Sequence, residues 1–198
     1  MKRTITTLTA TVALAAIMGT LGSLHNTRAQ DQQGNQGSVI GTWVATINVD
    51  TPAGPQPLAT ELASFNPGGT FIDAISIAFS AENPGFAGPF APLAVNFSDA
   101  FGTWKPVNGD SGQFAATFKR FLYAGANTPT AAYGSFFPGQ NVGQATIEVA
   151  GALQATKSGN ILVGSYTFQL TNLDGTNVLA GGGSFTATRV NVQPLAGH

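Results

Sequence analysis

Between Val39 and Val190 the apolar residues fall at every second position, and no stretch shows the three- and four-residue spacing of a helix face. This alternation is the strongest constraint in the chain, because a period of two is the signature of strands with one buried face. Eight such runs are expected, at Val39–Val49, Leu58–Asn66, Thr70–Ser80, Phe97–Lys105, Gly112–Tyr123, Gly143–Thr156, Ile161–Thr171 and Asn177–Val190. The breaks between them carry turn chemistry. "NPGG", "VNGDSG", "TKSGN" and "NLDGTN" supply Asn, Asp and Gly, the residues that tolerate positive φ in hairpin turns. "TPAGPQP" (Thr51 to Pro57) is too rich in proline for a central strand.

Eight sequential strands with mostly short connections suggest an antiparallel up-and-down sheet. Closing it into a barrel removes both exposed edges. An eight-stranded barrel has an interior that side chains fill or that holds one small ligand. A β-sandwich is the alternative, since strand number alone does not separate the two. Two connections are long, Ala81 to Val95 and Gly125 to Asn141. Their aromatics (Phe86, Phe90, Tyr133, Phe136 and Phe137) point to loops that pack over something rather than plain surface variation.

The alternation assigns faces. In the first strand Trp43, Ala45, Ile47 and Val49 oppose Thr42, Thr46 and Asn48. In the third, Phe71, Ile75, Ile77 and Phe79 share a face, and Asp73 falls among them. Arg120 falls with Phe114, Phe118 and Leu122, and Arg189 with Phe185 and Ala187. Glu61 is ambiguous: Leu58 and Leu62 argue for one face, Phe65 for the other. A buried charge is costly unless paired. Asp73 with Arg120, or either with Arg189 or Glu61, is therefore an expected internal ion pair. It serves as a polar anchor in a cavity, or else as an end-of-strand charge near solvent. The outward faces read as Thr, Ser, Ala and Gln, which does not fit the apolar band of an outer-membrane barrel.

The N-terminus is a different kind of segment. Lys2 and Arg3 precede an apolar stretch from Ile5 to Met18, and "NTRAQ" offers Thr27 and Ala29 as small residues before a cut. This is the layout of a secretory signal peptide, too short for a stable membrane span. The expected organisation is a signal at 1–29, a disordered Gly- and Gln-rich lead-in at 30–38, one domain at 39–192 and a tail at 193–198. The mature chain is then periplasmic or extracellular. It keeps five basic residues against nine acids, which gives no electrostatic footprint for nucleic acid. There is no cysteine, and the two histidines are His25 in the signal and His198 at the end. Ser-His and Cys-His nucleophile pairs are thereby excluded from the domain, as is His- or Cys-ligated zinc. No metal or cofactor is expected.

Gly41 and Trp43 early in the first strand, the meander of hairpins, and Arg189 in "FTATRV" resemble the lipocalin and wider calycin barrels. In those families the Trp closes one barrel end and packs on an Arg of the last strand. The resemblance implies that role for Gly41, Trp43 and Arg189. The second lipocalin motif, Thr-Asp-Tyr, and the helix after the last strand are absent. The layout is also similar to avidin-like barrels, which begin with Gly-Thr-Trp, and to allene-oxide-cyclase and dirigent-type barrels. The expected function is binding of a small apolar or amphipathic molecule, with Phe71, Ile75, Trp104, Phe118 and Arg120 as ligand contacts. The alternative is a cofactor-free isomerase or cyclase, in which Asp73 or Glu61 is the base, Arg120 steadies an anion, and Tyr123 or Tyr166 donates a proton. A third reading is an envelope structural protein without a small ligand.

Overall fold

The computed structural model describes residues 38–75, 88–156 and 159–191. The expected signal peptide, most of the lead-in, the tail, and Ile77, Phe79 and Phe86 lie outside them. The described chain forms an antiparallel sheet of nine strands: β1 (Gly41–Thr51), β2 (Gly54–Phe65), β3 (Thr70–Ile75), β4 (Asn96–Phe97), β5 (Ala100–Val107), β6 (Asp110–Tyr123), β7 (Asn141–Thr156), β8 (Gly159–Asn172) and β9 (Asn177–Arg189). Successive strands pair in order, except that β3 pairs with β5 and the short β4 with β6, and β9 returns to β1. The sheet thus closes into an up-and-down ring of eight strands, not evenly disposed about one axis. Closure excludes the open sandwich.

Nine strands make eight staves because β4 and β5 are one strand interrupted at Ser98 and Asp99. Both halves pair with β6. At the break, Ser98 N–H donates to Phe121 O, and Phe121 N–H donates to Ser98 Oγ, each at 3.0 Å. A side-chain hydroxyl thereby replaces one rung of the ladder. The turn between β5 and β6 is the Asn-Gly hairpin expected of its sequence, with Asn108 at φ 54° and Gly109 at φ 72°. The β8–β9 turn is held by Asn172 Oδ1, which accepts from the N–H groups of Asp174 and Thr176.

β2 corrects the expectation for the proline-rich segment: the strand begins at Gly54 and includes Pro55 and Pro57. Between Gly54 and Ala59 the described pairing is to β1 alone, and the register slips at Leu58. Proline is tolerated at such a bulged, one-sided stretch because no ladder is broken. The same bulge settles the face of Glu61. Phe65, Ala63 and Glu61 alternate inward, Leu62 points out at 48% exposure, and Leu58 turns inward through the slip.

The interior holds two packed groups. One end, at the hairpins β2–β3 and β5–β6, is filled by Trp43, Phe65, Phe71, Phe114 and Phe185. The other end lies under the long connections, which supply Leu93, Val95 and Tyr133 to pack on Val142, Phe168 and Leu170. Phe90 and Phe136 pack there as well, whereas Phe137 is exposed. The outer wall differs from its expected Thr-Ser-Ala-Gln character over one arc. Val44, Leu62, Ile72, Phe101 and Phe121 are all exposed on consecutive staves, with Val44 opposite Leu62 and Ile72 opposite Phe101.

Candidate functional site

The site grows from one row of paired positions around the ring. Arg189 lies opposite Trp43, Trp43 opposite Ala63, Ala63 opposite Asp73, and Asp73 opposite Ala100. On the next stave Arg120 lies opposite Ala145. Beyond the Arg189–Trp43 pair, alanine therefore separates the large and charged residues. The space left by the missing side chains, with the curvature of the ring, allows Asp73 and Arg120 to meet across the interior. Asp73 Oδ2 accepts from Arg120 Nη2 in a buried ion pair. Glu61, two residues from Ala63 on β2, reaches the same nitrogen at 3.0 Å through Oε1. Arg120 Nη1 donates to Ser98 O at 3.5 Å, so the β4–β5 interruption also serves the guanidinium.

Charge and partners do not balance in this cluster. Two carboxylates face one guanidinium. Asp73 is fully buried, and its Oδ1 is the one buried side-chain polar atom without a hydrogen-bond partner among the described residues. The pKa of Glu61 is raised: burial disfavours its charged form more than the charge of, and hydrogen bond from, Arg120 favour it. Burial thus favours the protonated form of Glu61.

The cluster sits in a cavity of about 100 Å³ along the lumen. Its wall is mostly apolar, with Phe71 and Phe118 stacked 4.8 Å apart beside the ion pair and the Arg120 guanidinium 5.8 Å from the Phe118 ring. Ile75 lines the same space, as do Ile147, Phe97 and Phe168. Tyr166 is a fourth polar group on the wall. Its hydroxyl donates to Asn48 O at 3.0 Å, and burial, with smaller contributions from Glu61 and Asp50, pushes its pKa up. A hydroxyl so placed keeps its proton on a backbone carbonyl. The run "GGGSF" explains its position: Tyr166 pairs with Gly183, where any Cβ would collide with the Asn48 carbonyl.

The other residues singled out from sequence are placed elsewhere. Tyr123 is at the far end of β6, opposite Asn96, and does not line the cavity. Trp104 does not line it either. Its indole donates to Asn66 O at 2.8 Å and stands edge-on to Phe65 at 5.6 Å, a plug over the β2–β3 turn. Trp43 closes the same end from inside: it is fully buried and donates to Val39 O at 2.8 Å, and the Arg189 guanidinium lies 4.2 Å from its ring centre. Arg189 also donates to Ile40 O at 2.6 Å and to Ser38 O. Gly41 makes room for it, since a Cβ there would stand 2.5 Å from Arg189 Nη1 on a backbone at φ 131°. Trp43 and Arg189 thus form a lid, with cation–π attraction of about 0.5–2 kcal/mol added to the burial of the indole.

Leu93 and Phe97 were not legible as lining residues, because they arrive from a connection and from the interrupted strand rather than from a clean alternation. Among the described residues no three His, Cys, Asp or Glu side chains gather as a metal-ligand set. No helix among them is long and apolar enough to cross a membrane. No protein-family model, curated protein or solved structure matches the chain.

Proposed function

We propose that this protein is an exported barrel that takes a small apolar or amphipathic molecule into its lumen. One observation carries the reading: a largely apolar cavity with one convergent polar cluster, in which a buried carboxylate oxygen has no partner among the described residues. Apolar walls with a few convergent polar groups are the usual form of a small-molecule site. The volume, about 100 Å³, is of the order of the apolar cavity of roughly 150 Å³ that takes up benzene. The Trp–Arg closure of one end supports a lipocalin-like variant of the barrel. Export rests on the first 29 residues, and the intact mass of the protein recovered outside the cytoplasm tests it.

Native mass spectrometry and thermal melts with toluene and benzyl alcohol test the binding. The expected result is a one-to-one adduct and a rise in Tm that grows with probe concentration, as mass action requires. The Ile147→Phe variant, which fills the lumen, is expected to lose both. Absence of adduct and of any shift in the native protein overturns the reading.

A catalytic reading is favoured by one feature, the raised pKa of Glu61 beside Arg120. A carboxyl whose protonated form is favoured and a fixed cation in an apolar lumen are a proton donor and an anion stabiliser, the parts a cofactor-free isomerase or cyclase needs. Under it, Glu61→Gln abolishes turnover of a candidate substrate; full turnover by that variant overturns it.

A further inference from the structure

We infer that the lumen selects a small organic cation, an amine on an apolar body, and that its ammonium group docks between Asp73 Oδ1 and Glu61. The inference rests on the binding function proposed above and adds the ligand's chemical class. Three observations carry it. First, the cavity contains two carboxylates and one guanidinium, so the fully ionised cluster has one excess negative charge. Secondly, Asp73 Oδ1 is wholly buried and unpartnered among the described residues, an acceptor with no donor. Leaving such an atom unsatisfied costs about 1–3 kcal/mol, more when it is charged, and a ligand donor recovers that cost. Thirdly, the neighbouring wall is aromatic. The stacked Phe71–Phe118 pair and Phe97 line it, and aromatic rings attract cations to their faces. An anion would meet the two acids instead, and a neutral alcohol brings no positive charge to Asp73 Oδ1 and Glu61.

The empty cavity and the filled one then differ by a proton. Glu61 is faced by Arg120 from β6, Asp73 from β3 and Tyr166 from β8, with Asp50 at the end of β1 adding to the negative field around Tyr166. Without ligand, Glu61 relieves the excess charge by holding a proton. An ammonium group supplies the missing positive charge, so Glu61 gives up that proton to solvent as the amine enters. No bond to carbon forms or breaks; one proton leaves the carboxyl and one cation enters.

Benzylamine, benzyl alcohol and benzoate share one apolar body and differ in the head group, which makes them suitable probes. Isothermal titration over a series of pH values from the ordinary carboxyl range upward, in two buffers of different ionisation enthalpy at each, reads both affinity and proton release. Benzylamine is expected to bind at least tenfold tighter than benzyl alcohol, benzoate weakest of the three, with up to one proton released per benzylamine. Asp73→Asn strands Arg120 in the interior and risks misfolding, so Glu61→Gln, at the less buried side of the cluster, is the decisive variant. It is expected to bring benzylamine and benzyl alcohol within a few-fold of each other and to abolish proton release. Benzyl alcohol or benzoate binding as tightly as benzylamine, or amine uptake without proton release, overturns the cation assignment while leaving the binding function standing. Failure of all three probes to bind overturns both.

Discussion

Arg120 shows how one residue organises an interior. A guanidinium offers five donors in a rigid fork, and here it spends them on Asp73, Glu61 and the Ser98 carbonyl. Removing it would leave Asp73 buried and uncompensated, a loss of about 3–5 kcal/mol by the behaviour of buried pairs. Glu61 has the opposite signature. Its folded-state pKa is raised, so above the ordinary value of 4.5 the native state holds a proton that the unfolded chain has lost. Stability is therefore expected to fall as pH rises from about 4.5 through the folded-state pKa, and Glu61→Gln is expected to flatten that decline. Urea midpoints collected across this range for both proteins measure it. A wild-type profile that rises with pH in step with the variant's would contradict the assignment. Asp73 and Arg120 were legible as inward charges from alternation alone. Glu61 was not, because the bulge at Leu58 breaks the parity from which a face is read.

At the scale of elements, the two ends of the ring are built differently. The Trp43 end closes by short hairpins and large aromatics. At the other end two connections are tied to each other. Thr128 Oγ1 donates to Ala94 O at 2.6 Å, and Tyr133 OH donates to Pro92 O at 2.8 Å, joining the β6–β7 connection to the 3-10 turn at Gly88–Leu93. Thr128 is buried, so losing its hydroxyl leaves the Ala94 carbonyl unpaired. Thr128→Val is expected to cost about 1–3 kcal/mol locally and to speed amide exchange across 88–95 and 125–140, with little change in β7 and β8. Uniform exchange acceleration throughout the barrel would show instead that these connections unfold only with the whole. The loop aromatics announced that something would be covered; which loop meets which is a matter of three-dimensional closure and has no local signal.

For the molecule as a whole, the seam between β1 and β9 joins the two extremes of the described domain. Every other pairing joins strands that are consecutive in the chain or separated by a single strand. Loop-closure entropy makes the seam the costly step, and it also removes the sheet's two edges. A chain ending at Gly175 is expected to lose cooperative unfolding and to self-associate through the exposed edges of β1 and β8. Thermal melts with size-exclusion chromatography test this; a truncated monomer with a sharp melt would show that closure is dispensable. The exposed arc from Val44 to Phe121 is also a property of the assembled ring. Those residues lie in different strands, each acceptable alone by its own alternation, and become a continuous apolar surface only when the staves are set side by side.

The sequence by itself determined the strand period, the turns, the inward face of most staves, and the chemistries that a domain without cysteine or internal histidine forgoes. These are local properties: a period of two needs only adjacent residues, and an Asn-Gly turn only its own backbone. The tertiary structure decided the rest. It closed the ring, turned Glu61 inward through a slipped register, set the Trp104 indole on the Asn66 carbonyl, and left one carboxylate oxygen without a partner among the described residues. Each of these depends on which residue of one strand faces which residue of another. That register is fixed by the packing of the whole interior, where alanine at Ala63, Ala100 and Ala145 leaves the space in which Asp73 and Arg120 meet.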